Sequence, residues 1–294
     1  MYAVWVYECV KYCGSRGASA DKRRCNMVSF VATPIGNLGD ISARALDTLR
    51  ASDVIFCEDT RHTLKLLNYF EIKKPLVSCH KFNERASAEK LVRMAEEGKE
   101  ISVVTDAGMP VISDPGNILV QVLRENGIGY TVIPGACAFV SALVLSGFPA
   151  DKFAFLGFLR GKTSEKLDFL KAYVNFDGTL VFYSAPQDVD SDVAVLAQAY
   201  GDRSACAVRE ITKLHESVEY FSLKSGLSGE KRGEYVLLVR GGERAENPLN
   251  ALTEKEHIAY YTERGFSKKE ALKAAAKDRG VPKSELYKFT VEDK

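Results

Sequence analysis

The sequence predicts an α/β protein of two domains followed by a small helical tail, and three observations carry that expectation. From Met27 onward, short apolar runs alternate with segments of helical periodicity, as in strand-helix units that build a mostly parallel sheet covered on both faces. A second alternating set follows Pro134-Gly135. Beyond the linker GGERAENPLN, the composition changes to charged residues and Ala at helical spacing.

In the first domain, placed at 27–135, strands are expected near 28–33, 54–57, 76–78, 101–105 and 130–133. Helices are expected near 41–50, 60–69, 86–97 and 117–125. The second helix sets Leu64, Leu67 and Asn68 at i, i+3 and i+4, and the third carries Ala88, Leu91, Val92 and Ala95 on one stripe. In the second domain, at 136–241, a helix at 138–145 precedes strands near 153–158, 180–184, 205–209, 219–223 and 235–239. Helical patterns at 164–174 and 189–200 separate some of them. Only the turn-like KSGLSGEKRG lies between the last two strands, which predicts an antiparallel hairpin on a mixed sheet.

The tail, at 242–294, reads as helices opened by two capping boxes, Thr253-x-x-Glu256 and Ser267-x-x-Glu270, with Gly265 and Gly280 as stops. A helix-turn-helix appendage fits this pattern. Its ten basic and eight acidic residues between 254 and 294 are a weak excess for a phosphate binder, and a packing or dimerisation role fits equally. Residues 1–26 hold three of the seven Cys, the only Trp, and five basic against two acidic residues, without sustained periodicity. Glu8 and Lys11 interrupt what would be the apolar core of a secretory signal. This segment is expected to be a disordered extension.

The 294 residues, 46% hydrophobic and 27% charged, suffice for two cores. Apolar runs are far shorter than the roughly 20 residues of a membrane span, so a soluble, cytoplasmic protein without membrane association is expected. Forty basic and 39 acidic residues give a formal charge of +1, so no global field advertises a nucleic acid. Any basic face must be local. The seven Cys include no C-x-x-C pair, and the four His lack metal-ligand spacing. A reducing compartment and no metal follow.

Function is written in three loops at expected strand ends: TPIGNLGD (33–40), TDAGMPVISDPG (105–116) and PGACA (134–138). In open α/β sheets, ligands bind at the carboxyl ends of strands. Gly admits close approach to the backbone, Pro fixes loop shape, and Asp and Ser leave directed polar groups. The loops therefore describe a shaped cradle. No G-x-G-x-x-G follows the first strand, so an ordinary dinucleotide site is unsupported. GFLRGKT (157–163) is one residue short of a P-loop, and reads better as a basic loop after a strand.

VATPIGNLGDISARALDTLRASDVIFCEDTRHTLKLL, TDAGMPVISDPG, PGACAFVSALVLSGFP and VREITKLHE resemble the tetrapyrrole methylase superfamily, and within it the branch that methylates small-subunit ribosomal RNA. The resemblance covers nearly the whole chain from Met27. It implies two α/β domains with S-adenosylmethionine in the cleft between them, and 2'-O-methylation of a cytidine ribose in the decoding region of 16S ribosomal RNA. It also implies an assembled 30S particle as partner and a homodimer. On that basis the cofactor is expected at Pro34, Gly36, Asn37, Asp106, Ala107, Gly108, Ile112, Ser113, Pro134, Gly135 and Ala138. Asp114, before Pro115, is expected only to close a turn.

Methyl transfer to a hydroxyl needs alignment and a proton acceptor. CEDTRHT (57–63) concentrates acid and base at a strand end; Asp59, Arg61 and Glu58 are the expected catalytic residues, with the arginine on a phosphate. His80, Lys81 and Asn83 from SCHKFNE, and Arg209, Glu210 and Lys213 from VREITK, are expected to face RNA. A surface histidine and an Arg209–Glu210 ion pair are the plainer alternatives. Where related sequences carry a stretch like FYESPHR this chain has FYSAPQD (182–188), and where they end a motif in Pro-Arg-Lys it has LRGK. Two other functions stay open: methylation of a small molecule such as a porphyrinoid, and non-catalytic DNA binding through the terminal helices.

Overall fold

A computed structural model describes residues 27–229, 231–242 and 248–289. The expected extension at 1–26 lies outside the described residues. The first sheet has five parallel strands in the order β3-β2-β4-β1-β5: β1 (Met27–Val31), β2 (Val54–Cys57), β3 (Leu76–Ser78), β4 (Ile101–Val103) and β5 (Gly129–Ile133). All four residues of β2 are buried, which is why VIFC reads as an unbroken apolar run. Helices α1 (Ala43–Ala51), α2 (Thr60–Tyr69), α3 (Glu84–Glu96) and α4 (Asn117–Glu125) connect the strands. Two cores result. One joins Phe30, Phe56 and Ile101 to Leu91, Leu119 and Leu123, and the other joins Val31 and Ile55 to Leu49 and Leu67.

The stripe expected on α3 is buried throughout. On α2 only part of the expected stripe is: Leu67 is buried, whereas Leu64 faces solvent, and Thr63 supplies the second buried position.

Helix α5 (Ala138–Ser146) leads into the second sheet, ordered β6-β7-β10-β8-β9: β6 (Phe153–Phe158), β7 (Thr179–Ser184), β8 (Ser204–Arg209), β9 (Ser217–Ser222) and β10 (Tyr235–Val239). Helices α6 (Thr163–Lys171) and α7 (Val189–Tyr200) cover one face, and α5 packs its Ala142 and Leu143 on the other. The sheet is mixed, but the expected hairpin is misplaced. β9 pairs with β8, and β10 inserts between β7 and β8. All five residues of β10 are buried, so the most apolar strand takes the centre and KSGLSGEKRG becomes a crossing connection.

The tail folds as α8 (Glu254–Thr262), α9 (Lys268–Arg279) and α10 (Lys283–Tyr287). Both capping boxes form, and Ile258, Leu272, Ala275 and Leu286 make a small separate core. His257, fully buried, meets Asp278 at 3.2 Å through Nε2 and accepts a hydrogen bond from Arg279 Nε at 3.2 Å through Nδ1. It is a satisfied structural histidine.

Candidate active site

Because β4, β1 and β5 are neighbours, the three loops of odd composition emerge side by side. Thr33 and Gly108 tie the first two through paired backbone bonds, Thr33 N to Gly108 O at 2.9 Å and Gly108 N to Thr33 O at 3.1 Å. Gly108 sits at φ +83°, and a Cβ there would press on Ile35. Gly135 lies against β1 so closely that a Cβ would stand 2.9 Å from the Cβ of Ala32. These glycines answer two needs, left-handed backbone and close packing of loop on strand.

Non-glycine residues also adopt left-handed backbone: Val111 (φ 77°) and Ser113 (φ 67°) in the loop after β4, and Glu210 (φ 50°) and Thr212 (φ 64°) in the loop after β8. Such conformations persist where the surroundings over-determine them. Here they do. The buried Glu84 carboxylate accepts the amides of Gly116 (2.7 Å) and Ile118 (2.9 Å), and Thr105 donates its hydroxyl to Asp114 at 2.8 Å. Across the molecule, Thr212 donates to Asp40 at 2.6 Å, and Lys213 is held by Glu210 and Glu234, both at 2.9 Å.

Between the two sheets these loops enclose a cavity of about 570 Å³. Of the expected cofactor residues, Asp106, Ala107, Gly108, Ile112, Ser113 and Ala138 line it. Pro34, Gly36, Asn37, Pro134 and Gly135 are not among the lining residues. Asn37 caps a short 3-10 turn by accepting the Gly39 amide, and Gly36 leaves room for the Lys213 chain. Glu210 and Lys213 line the far side; Arg209 instead bonds Ser217 Oγ at 3.2 Å. His80, Lys81 and Asn83 lie outside the lining. Asn83 has a structural task, accepting the His80 amide at 2.7 Å and donating to Ser78 O at 3.1 Å.

The catalytic expectation is redistributed. Asp59 caps α2 through the Arg61 amide (2.8 Å) and takes the Arg61 guanidinium at 3.1 and 2.7 Å. The Arg61 bonds hold its carboxyl well below the usual range, so it is a poor proton acceptor, and neither partner reaches the cavity lining. Glu58 does reach it, and so does Asp114, which sequence reasoning confined to a turn. Burial first, then the charges of Asp114 and Asp106, push the Glu58 carboxyl up; burial and Asp106 do the same to Asp114. Three carboxylates thus converge on one wall. The aspartate in SDPG was visible in the sequence, but its meeting with Thr105 was not.

FYSAPQD contributes Tyr183, Ser184, Ala185, Pro186 and Gln187 to the opposite wall. Its shape rests on a buried network: Asp192 accepts Ser184 Oγ and Lys166 Nζ, each at 2.7 Å. In the loop after β6, Glu165 accepts the Lys162 amide at 2.9 Å at the start of α6.

The tetrapyrrole (corrin/porphyrin) methylase family model matches residues 27–227. This chain belongs to that family. Ribosomal RNA small subunit methyltransferase I of Bacillus subtilis is 40% identical over 276 residues, 90% of this chain and 94% of the relative. The protein of the same name from Escherichia coli O157:H7 is 38% identical, covering 93% and 97%. That of Thermotoga maritima is 42% identical over 98% of its length but only 73% of this chain, so that relative lacks a counterpart to part of the chain. Among solved structures, the methyltransferase CobJ (TM-score 0.58, 17% identity, covering 74% of this chain and 94% of its own) shares the fold. So does diphthine synthase (TM-score 0.58, 17% identity, covering 73% and 90%).

The methyl donor of this family is S-adenosylmethionine, and the cavity suits it. The molecule is cationic at sulfur and carries an adenine and a ribose. The site offers carboxylates, small residues for a flat ring, and a volume within the roughly 300–1,000 Å³ of ordinary ligand pockets. Among the described residues no group of His, Cys, Asp or Glu is arranged to hold a metal, and no helix is long and apolar enough to cross a membrane.

Proposed function

We propose that this protein methylates the ribose 2'-hydroxyl of a cytidine in the decoding region of 16S ribosomal RNA, acting in the cytoplasm as a homodimer on the assembled 30S particle. One observation carries the reading: a braced, carboxylate-lined cavity in a chain 40% identical, over 90% of its length, to a protein named ribosomal RNA small subunit methyltransferase I.

When bound, S-adenosylmethionine supplies an electrophilic methyl group. Asp106, Ala107, Gly108, Ile112, Ser113 and Ala138 hold it on the first-domain side, their positions fixed by the bonds between Thr33 and Gly108. Glu58 takes the hydroxyl proton on a carboxylate oxygen, its elevated pKa making it a better base than the arginine-bound Asp59. Lys213, Glu210 and the FYSAPQD loop shape the acceptor side. The two braced loops keep donor and acceptor groups aligned, which supplies most of the rate in a displacement of this kind.

The test is incubation of purified protein with labelled S-adenosylmethionine and 30S subunits from a strain lacking the enzyme, then nucleoside mapping. Label on a cytidine 2'-oxygen is expected. Label on a base, or on a porphyrinoid precursor but not on the particle, would overturn the reading.

A further inference from the structure

Two large apolar side chains stand almost wholly in solvent: Phe82 at 94% and Leu214 at 93% exposure. Phe82 sits on the loop after β3, beside the strand end that carries the cavity residue Glu58, and Leu214 sits on the loop after β8, next to the cavity residue Lys213. Residues 79–83 follow β3 and are joined to the strand end that carries Glu58, through Cys79 N to Cys57 O at 2.7 Å and Ser78 Oγ to Glu58 O at 3.4 Å. Residues 210–216 follow β8 and put Glu210 and Lys213 into the cavity wall.

Neither tip is a loose loop. Around Phe82, Asn83 bonds both His80 N and Ser78 O, Glu84 is buried against the start of α4, and the His80 ring meets the Phe82 ring edge-on with centroids 6.2 Å apart. Around Leu214, Glu216 accepts the Thr212 amide at 2.6 Å, Lys213 N bonds Glu210 O, and Glu216 N bonds Lys213 O. Burying either side chain within its own domain would require only a slack loop. Instead the backbone is fixed and the apolar group is presented. Exposed cations flank Phe82 along the chain, Lys81 directly before it and Arg85 at the start of α3.

A ribose hydroxyl reaches a cavity between two sheets only if its nucleotide leaves the neighbouring stack, which uncovers the faces of adjacent bases. Aromatic side chains cover such faces regardless of base identity, and nearby cations follow the phosphates. We infer that Phe82 is a stacking platform and Leu214 a wedge that together grip the bases flanking the target ribose. This rests on the RNA reading above.

The first assay measures binding of a fluorescent single-stranded oligocytidylate by anisotropy, alongside methylation of 30S subunits by the wild-type protein, Phe82→Ala, Phe82→Trp and Leu214→Ala. Both sites are surface positions, so melting temperature and calorimetric cofactor affinity should stay at wild-type values. Phe82→Ala should weaken oligocytidylate binding roughly 5- to 100-fold, the range stacking losses give, and raise KM for the particle. Phe82→Trp should retain binding, and Leu214→Ala should show a smaller loss. Wild-type binding in both alanine variants, or no oligocytidylate binding by the wild type, would overturn the inference. So would loss of particle binding alone with oligocytidylate binding kept, which would mark a protein contact. If the wild type and variants show the stacking pattern while no methyl reaches the particle, the clamp stands and the reaction assignment falls.

Discussion

At Glu58, position decides chemistry. Three acids meet on the cavity wall, and Asp106 and Asp114 are each engaged by a close hydrogen bond, from the Asp59 amide at 3.1 Å and the Thr105 hydroxyl at 2.8 Å. Glu58 has only the longer 3.4 Å contact with Thr105 and is left to take a proton. Glu58→Gln should lower the methyl-transfer rate by roughly 10²- to 10⁴-fold, the ordinary contribution of a general base, with cofactor affinity unchanged by calorimetry. Because its carboxyl is pushed up, the wild-type rate should fall as pH drops through an inflection above the ordinary glutamate value of about 4.3. The same shift costs stability. A carboxyl whose folded pKa is raised favours the folded state at low pH, and that advantage disappears as pH rises from the unfolded to the folded pKa. Asp114→Asn, which keeps an acceptor for Thr105, should therefore raise the melting temperature at neutral pH by roughly 1–3 °C; an unchanged or lower value would argue that Asp114 carries no such penalty. The sequence could display these acids but not rank them. Asp59 stands beside Glu58 in CEDTRHT, and which of the two turns back to cap α2 is settled by the helix start, whose loose amides the Asp59 carboxylate satisfies.

At the scale of elements, local patterns were legible and order was not. The bounds of β2, β3, α2, α4, β6, α7 and β10 follow directly from apolar runs and caps, because each is set by neighbours a few residues away. The insertion of β10 between β7 and β8 depends on which strand is buried on both faces, a competition among distant segments. The same distance hides the Ser184-Asp192-Lys166 network, which joins β7 to α6 and α7 and holds FYSAPQD in place. With the Asp192 side chain 4% exposed and that of Lys166 11%, Asp192→Ala should strand a buried ammonium and cost about 3–5 kcal/mol in denaturant unfolding. The double change Lys166→Met with Asp192→Leu should recover most of it. Gly135→Ala, which drives a Cβ against Ala32, should cost about 1–3 kcal/mol and weaken cofactor binding, because the displaced loop carries Ala138 into the wall. A variant with native cofactor affinity would show that the loop relaxes without moving that wall.

At the scale of the whole molecule, one apolar face has no covering among the described residues. Helix α5 reads AFVSALVLS, apolar on every side, as in helices buried all round. One face meets the second sheet; on the other, Val140 and Leu145 are exposed and Val144 stands 75% in solvent. The patch continues onto β9, where Tyr220 donates its hydroxyl to Leu145 O at 3.3 Å and leans on Phe148. β9 is also an edge strand, whose unpaired backbone groups invite another chain. The homodimer proposed above would cover this face by two-fold symmetry; a stable pair needs roughly 1,200–2,000 Å² of buried surface, more than one nine-residue helix presents, so β9 would take part. Val144→Glu places a charge at the centre of that surface. Sedimentation velocity at micromolar concentration should find the wild type as a dimer and the variant as a monomer, with cofactor affinity within about twofold, since Val144 lies outside the cavity lining. A near-neutral chain gains its grip on a polyanion from local cations, and doubling them in a dimer lengthens the footprint, so the monomer should bind 30S subunits more weakly and with a shallower dependence on salt. A dimer that survives Val144→Glu would move the interface elsewhere, and a wild type that sediments as a monomer would remove it.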